Sequence, residues 1–349
     1  MYTIYSEKDI FENIVVFNDQ TPNWYNILCN HSEVCLNITD SELANEEKQG
    51  TPIFEFIMAN GGRSPIALKD YFDTIYEDNS VISAKPRAAF FLNCSEEEAA
   101  SIQSSYGVIV QSGESINDNI LTGSFKRKLF KDEEIEDGIN TGWKTLLNFN
   151  FPPSNSMIIS DNYLLQSTER VGAKYIASGK MNVIWMLDAL LPATLSIPYH
   201  ITIISEDNNQ NEGWRNRLAG ELNTEINNLR NYEINVEIVF TKSELLHERI
   251  LLMNYVNSSC EHGFYVFKAK DGITVHVVNK IQINSYFSSL NNSQGESEYQ
   301  VANKDLSLLK IVCNDLSEHI HAGTLVYRGA ILGGCNPNKS IKNRLLNDV

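Results

Sequence analysis

The residues best equipped for chemistry gather in one stretch, Thr241 to Lys268, which reads TKSELLHERILLMNYVNSSCEHGFYVFK. A triplet, His247-Glu248-Arg249, opens the apolar run Ile250 to Met253. Arg offers a fixed fork of donors, and His can donate, accept or attack. On a strand, residues i and i+2 point to one face, so the spacing predicts an imidazole and a guanidinium side by side, a pair suited to an anion. An H-x-R triplet is short, and the competing reading is a histidine that caps or packs at a strand edge. Asn254 closes the apolar run, a polar loop follows, and a second apolar run spans Gly263 to Phe267. His262, beside Gly263, is the first candidate for a partner imidazole.

The elements that must position these residues read as a larger α/β unit over residues 156–349. Met157 to Ser160 starts a strand, and Asp161 after it can hydrogen-bond an active-site histidine or cap the following turn. Gly179 to Leu191 is a helix that Pro192 breaks. Tyr199 to Ser205 is a strand, Trp214 to Asn231 an amphipathic helix, and Asn235 to Thr241 the next strand. Strand, helix, strand in that order predicts parallel pairing. Gly272 to Asn279 is a further strand, Asn291 to Ser297 a polar surface loop, Asp305 to His319 a helix, and Thr324 to Tyr327 a last strand. The tail carries a basic cluster of Lys339, Lys342 and Arg344. His319 and His321 sit where a helix C-terminus favours a cation, and no third metal ligand accompanies them.

The triplet, its apolar strand, Asn254 and the Gly263-Phe264 strand resemble the phospholipase D-like superfamily, nearest its branch with a single H-x-R motif. The resemblance covers residues 157–344. It implies that His247 attacks phosphorus without a metal, forming a covalent phosphohistidine. It also implies that Arg249 holds phosphate oxygens, with Asn254 and the tail residues Lys339, Lys342 and Arg344 beside them. Active members carry an H-x-K motif, usually twice. Here Arg249 stands where the lysine belongs and no second triplet occurs, so the general acid for a leaving alkoxide is unassigned.

Residues 1–130 read as a smaller α/β unit. Asn13 to Phe17 is a strand candidate, Trp24 to Leu28 starts a helix, and Glu33 to Thr39 is a second strand. Thr51 to Asn60 is a helix with Pro52 in its first turn, and another follows over Pro65 to Tyr76. Arg87 to Asn93 is the third strand. Ser95 caps a helix that ends at Gly107, and Val108 to Gln111 is the fourth strand. This succession resembles a PIN-like nuclease domain, whose carboxylates at strand ends hold magnesium or manganese. The matching positions are Asp19 and Glu42. Ser95 departs from the third, where an aspartate is expected, and Glu96 to Glu98 read as favourable charge at a helix N-terminus.

Between the units, residues 131–155 read as a linker. The basic run Phe125 to Lys131 meets the acidic run Asp132 to Asp137, and Pro152-Pro153 closes the segment. The net charge of −16 is concentrated at the front. Residues 1–130 hold 19 acidic and 9 basic side chains, a net of −10. A broad nucleic-acid surface is therefore not expected there, whereas a protein partner is. The six cysteines form no C-x-x-C pair and read as reduced thiols of a cytoplasmic protein. No apolar run reaches the ~18 residues of a membrane helix.

The expectation is thus an α/β chain of two units that binds nucleic-acid or nucleotide phosphodiesters through degenerate nuclease-like domains. By analogy it would be an accessory or effector of a bacterial defence or mobile-element system. Two alternatives stay open: an active metal-independent phosphodiesterase using His247, and a protein–protein assembly module.

Overall fold

A computed structural model describes residues 2–118, 126–128, 142–148, 150–165, 167–171, 174–177, 179–206, 212–246, 249–260, 263–264, 267–270, 273–276, 280–287, 296–325, 329–333 and 341–348. Two large sheets organise them. The first joins β1 (Tyr2–Ser6), β2 (Ser32–Leu36), β3 (Ile66–Ala67), β4 (Ala89–Leu92) and β5 (Ile109–Ser112) in the order β3-β2-β1-β4-β5. Every pairing in it is parallel. Parallel strands need crossovers, and helices supply them: α1 (Lys8–Val16), α2 (Pro22–His31), α3 (Asp40–Glu46), α4 (Pro52–Ala59), α5 (Lys69–Glu77) and α6 (Glu96–Tyr106).

Local signals start and stop these helices as expected. The Thr51 side chain accepts from Phe54 N–H ahead of Pro52, and the Ser95 side chain accepts from Glu98 N–H. Gly107 ends α6 at φ 65°, where a side chain would also strike the Ser154 carbonyl 2.3 Å away. Two expectations fail. The helix expected over Pro65 to Tyr76 begins only at Lys69, and Ile66–Ala67 before it is β3, paired with β2. Asn13 to Phe17 is not a strand, because Ile10, Phe11, Ile14 and Val15 bury one face at helical spacing. The first strand is Tyr2–Ser6, so Asp19 follows no strand and lies exposed in the turn after α1.

The second sheet is mixed and eight-stranded. It uses β6 (Lys126–Lys128), β7 (Ser156–Ser160), β10 (Tyr199–Glu206), β11 (Ile234–Thr241), β12 (Ile250–Met253), β13 (Val256–Cys260), β16 (Lys280–Ser285) and β17 (Ala330–Gly333). The order is β17-β11-β10-β7-β12-β13-β16-β6. Two small hairpins, β8 (Ser167–Val171) with β9 (Lys174–Ala177) and β14 (Phe267–Lys270) with β15 (Ile273–His276), stand apart from it. As the sequence predicts, β10 and β11 pair in parallel, and β7 runs parallel to β10. β12 turns back antiparallel to β7. Val256 to Cys260, expected within a polar loop, is a strand held between β12 and β16. Of the strand expected over Gly272 to Asn279 the described part is Ile273–His276, while the structure adds β16 and β17 where no strand was expected. The helix expected over Asp305 to His319 is longer, Glu298–Ala322, and a short helix, Arg344–Asn347, follows it.

One apolar cluster runs through both sheets, joining Ile4, Phe11 and Phe91 with Ile158, Ile204, Leu252 and Leu309. Tyr2 stacks on Phe287 at 4.4 Å and meets Tyr299 at 3.8 Å. The Tyr255 hydroxyl donates to Ala88 carbonyl and accepts from Ile109 N–H. Arg87 pairs with Asp348 at 3.3 Å. Within the expected linker, Trp143, Leu146 and Leu147 are buried in the second sheet's other core and Asn155 is fully buried. Residues 131–141 lie outside the described residues.

Candidate anion site at the carboxyl end of β7

Sheet order reverses at β7. Its parallel neighbours lie on one side and antiparallel β12 on the other, so the crevice beyond its carboxyl end is where an open α/β sheet offers a site. The residues there are Ser160, Asp161, Asn162 and Tyr163. Asp161 is buried, and its carboxylate accepts from Tyr163 N–H at 2.9 Å and Phe264 N–H at 2.7 Å. Burial pushes this carboxyl above its ordinary range, while those two N–H groups and the Arg249 charge pull the other way. Gly263 is required beside it: φ is 97°, and a Cβ would stand 2.7 Å from Asp161 Oδ2. Of the two roles expected for Asp161, the geometry displays the turn cap, extended to a clamp on Phe264.

The chain leaving β11 returns across this end. Asn162 Nδ2 donates to the Leu246 carbonyl, and Arg249 carbonyl accepts from Cys260 N–H at 3.2 Å. Arg249 is half-buried just ahead of β12, with its guanidinium carbon 5.4 Å from the centre of the Tyr163 ring. Among the described residues its buried Nε finds no acceptor. Ser160 Oγ, fully buried in the adjacent row, likewise has no partner among the described residues.

The histidines His247 and His262, with Glu248, lie outside the described residues, as does Lys339. Their chain neighbours are placed. Arg249 and Gly263 both come to Asp161, one through charge and one through contact. The other expected phosphate ligands lie elsewhere. Asn254 is fully buried beyond the far end of β12, accepting from Asn155 and Ser156 N–H and donating to Gly107 carbonyl at 2.9 Å. Arg344 donates to Pro198 and Asn155 carbonyls at the amino ends of β10 and β7. Lys342 gives its backbone N–H to Glu237 at 2.8 Å. With five residues in β7, that edge is roughly 15 Å from Asp161. The structure therefore joins Arg249 to Asp161 and holds Asn254, Lys342 and Arg344 apart from them.

The positions matched to metal ligands do not converge either. Glu42 sits in a capping box, its carboxylate accepting from Thr39 N–H at 2.8 Å while Glu42 N–H donates to Thr39 Oγ1. The carboxylate at the end of β1 is Glu7, which sequence reading passed over because β1 was missed. It accepts from Asn37 Nδ2 at 2.9 and 3.0 Å and from the Tyr76 hydroxyl. Among the described residues no group of three His, Cys, Asp or Glu is arranged to hold a metal. Tyr163 was also passed over; an aromatic two residues beyond Asp161, following a strand, was its available signal.

Comparison with known proteins adds no relative: no family model matches the chain, and no curated protein matches it. Among the described residues no helix is long and apolar enough to cross a membrane.

Proposed function

We propose that the crevice beyond β7 binds a phosphodiester of a nucleic acid or nucleotide, with Arg249 as its principal ligand. The observation that carries this is the guanidinium itself. It is half-buried over Tyr163, and its buried Nε has no hydrogen-bond partner among the described residues. A buried donor left unpaired costs ~1–3 kcal/mol, and a phosphate oxygen would recover it. The Asp161 carboxylate, whose charge Arg249 feels, accepts from two backbone N–H groups and makes no hydrogen bond to that Nε. Tyr163 is 52% exposed, so a base can stack on the ring that carries the cation.

A catalytic version of the same site is favoured by one observation. Gly263, the residue after His262, lies against the Asp161 carboxylate, and the charge of Arg249, two residues after His247, acts on the same carboxylate. In that reading His247 attacks phosphorus, Arg249 stabilises the charge gathering on the equatorial oxygens, and His262 protonates the leaving alkoxide.

Fluorescence anisotropy with a labelled single-stranded oligonucleotide tests the binding reading. Arg249→Ala should weaken binding by about 1.5–3 kcal/mol, the scale of a hydrogen bond to a charged group. Arg249→Lys should recover part of the loss, since charge returns without the fork. His247→Ala should weaken binding less and remove any hydrolysis. If Arg249→Ala binds every phosphate ligand as the native chain does, and only its melting temperature falls, the site is structural.

A further inference from the structure

A second polar site lies on the opposite face of the same sheet. Strands β13 and β16 read VNSSC and KIQINS, and alternation sends Val256, Cys260, Ile281 and Ile283 into one core. Their register partners on the other face are polar: Asn257 stands opposite Asn284, and Ser259 opposite Gln282. That face looks toward the first turns of the helix Glu298–Ala322, and a cavity of about 370 Å³ remains between them. Both sheet asparagines are 6% exposed. Burying an amide without satisfying it is costly, so a row of amides under a helix calls for an occupant.

The lining specifies what that occupant carries. Asn257 Nδ2 donates to Glu298 Oε2 at 3.2 Å, but Asn257 Oδ1, also buried, accepts from none of the described residues. Glu298 is the first residue of its helix, where the positive end of the helix dipole attracts negative charge. Asp305 lies two turns further along the helix, and a lysine of the lining, Lys304, pairs with Glu296. Among the described lining residues the acceptor left open is therefore Asn257 Oδ1, beside the Glu298 carboxylate. Ile250 and Val301 complete the wall with apolar surface.

We propose that this cavity binds a linear alkylamine cation, a diamine or polyamine. Its ammonium would donate to Glu298 and Asn257 Oδ1, and its methylenes would lie against Ile250 and Val301. The site is independent of Arg249, which precedes Ile250 and serves the other side of β12.

Isothermal titration of the full chain with putrescine, spermidine and agmatine tests this. The expected result is saturable binding of one equivalent of at least one amine. Glu298→Gln should weaken it tenfold or more, and Asn257→Leu several-fold. Asp315→Asn, an exposed charge on the same helix, should leave it unchanged. Melting curves establish that each variant is folded, and Asn257→Leu carries the test should Glu298→Gln fail to fold. Three outcomes overturn the proposal: no saturable heat with any amine, equal loss on neutralising Asp315, or full displacement by millimolar magnesium.

Discussion

Both sheets end in a buried acidic residue at the carboxyl end of a parallel strand, and they treat its surroundings differently. In the first sheet Glu7 is saturated by Asn37 and Tyr76, and the fold consumes its charge. In the second sheet Asp161 accepts from two backbone N–H groups, and the cation whose charge it feels, Arg249, keeps a buried Nε that finds no acceptor among the described residues. A polar group fully answered by its own fold is scaffold. A buried donor left open where strand order reverses is the feature on which the proposed anion site rests.

The contrast breaks most visibly if Asp161 is not the clamp it looks like. Asp161→Ala orphans two buried N–H groups, at ~1–3 kcal/mol each. Thermal or urea unfolding should show a loss of about 2–5 kcal/mol. Glu7→Gln keeps an acceptor for Asn37 and should cost ~1 kcal/mol or less. Equal losses in the two variants would erase the distinction between the sheets.

Gly263→Ala sharpens the same point at smaller scale. It places a methyl 2.7 Å from Asp161 Oδ2 at φ 97°, and should destabilise by ~1–3 kcal/mol. Because the clash needs the carboxylate, the double variant with Asp161→Ala should lose less than the sum of the two. Strict additivity would place the strain in the backbone alone.

Much of this architecture is written locally. Thr51 with Pro52, and Ser95 with Gly107, mark helix ends by chemistry that needs no tertiary partner. The β10–helix–β11 unit follows from periodicity and handedness. Two failures share a cause. The run NIVVF is apolar enough for strand or helix, and Ile10 and Phe11 decide for helix only when read with Ile14 and Val15. The strand VNSSC reads as loop because serine and asparagine usually mark turns, and only its neighbours β12 and β16 make it a strand. The site divides the same way. Arg249 is legible in its triplet, whereas its contact with Tyr163 and the Asp161 bond to Phe264 join residues more than 80 positions apart.

A pH prediction tests whether the far edge of the second sheet is scaffold. Burial lifts the Glu237 carboxyl to about 7, opposed by Lys342 N–H and the Thr202 hydroxyl. Burial, then the Arg344 charge, pushes His200 down to about 4. A raised acid gives stability that is full below its ordinary 4.5 and lost as pH rises through about 7. A depressed histidine gives stability that is full above its ordinary 6.5 and lost as pH falls through about 4. Between these limits the two slopes oppose each other. Glu237→Gln removes the first, so its melting temperature should gain on the native chain by about 2–5 °C between pH 5 and pH 8. A difference that stays constant with pH would show that Glu237 does not titrate in this range.

The smallest expected effect bears on the first sheet's claim to be scaffold. Glu42 matched a metal ligand by position after β2, but its carboxylate closes a capping box with Thr39. Glutamine serves that position as well as glutamate, because either can accept from the cap's backbone N–H. Glu42→Gln should therefore leave the melting temperature close to that of the native chain, the remaining difference being lost charge at a helix N-terminus. Glu42→Ala removes the returning bond and should lower the melting temperature more than Glu42→Gln does. Neither change should alter the heat of manganese titration, since the carboxylate is occupied by its own helix. Micromolar manganese binding that Glu42→Gln abolishes would reverse the assignment. The first sheet would then hold a metal at Glu42, and the contrast with Arg249 would no longer separate scaffold from site.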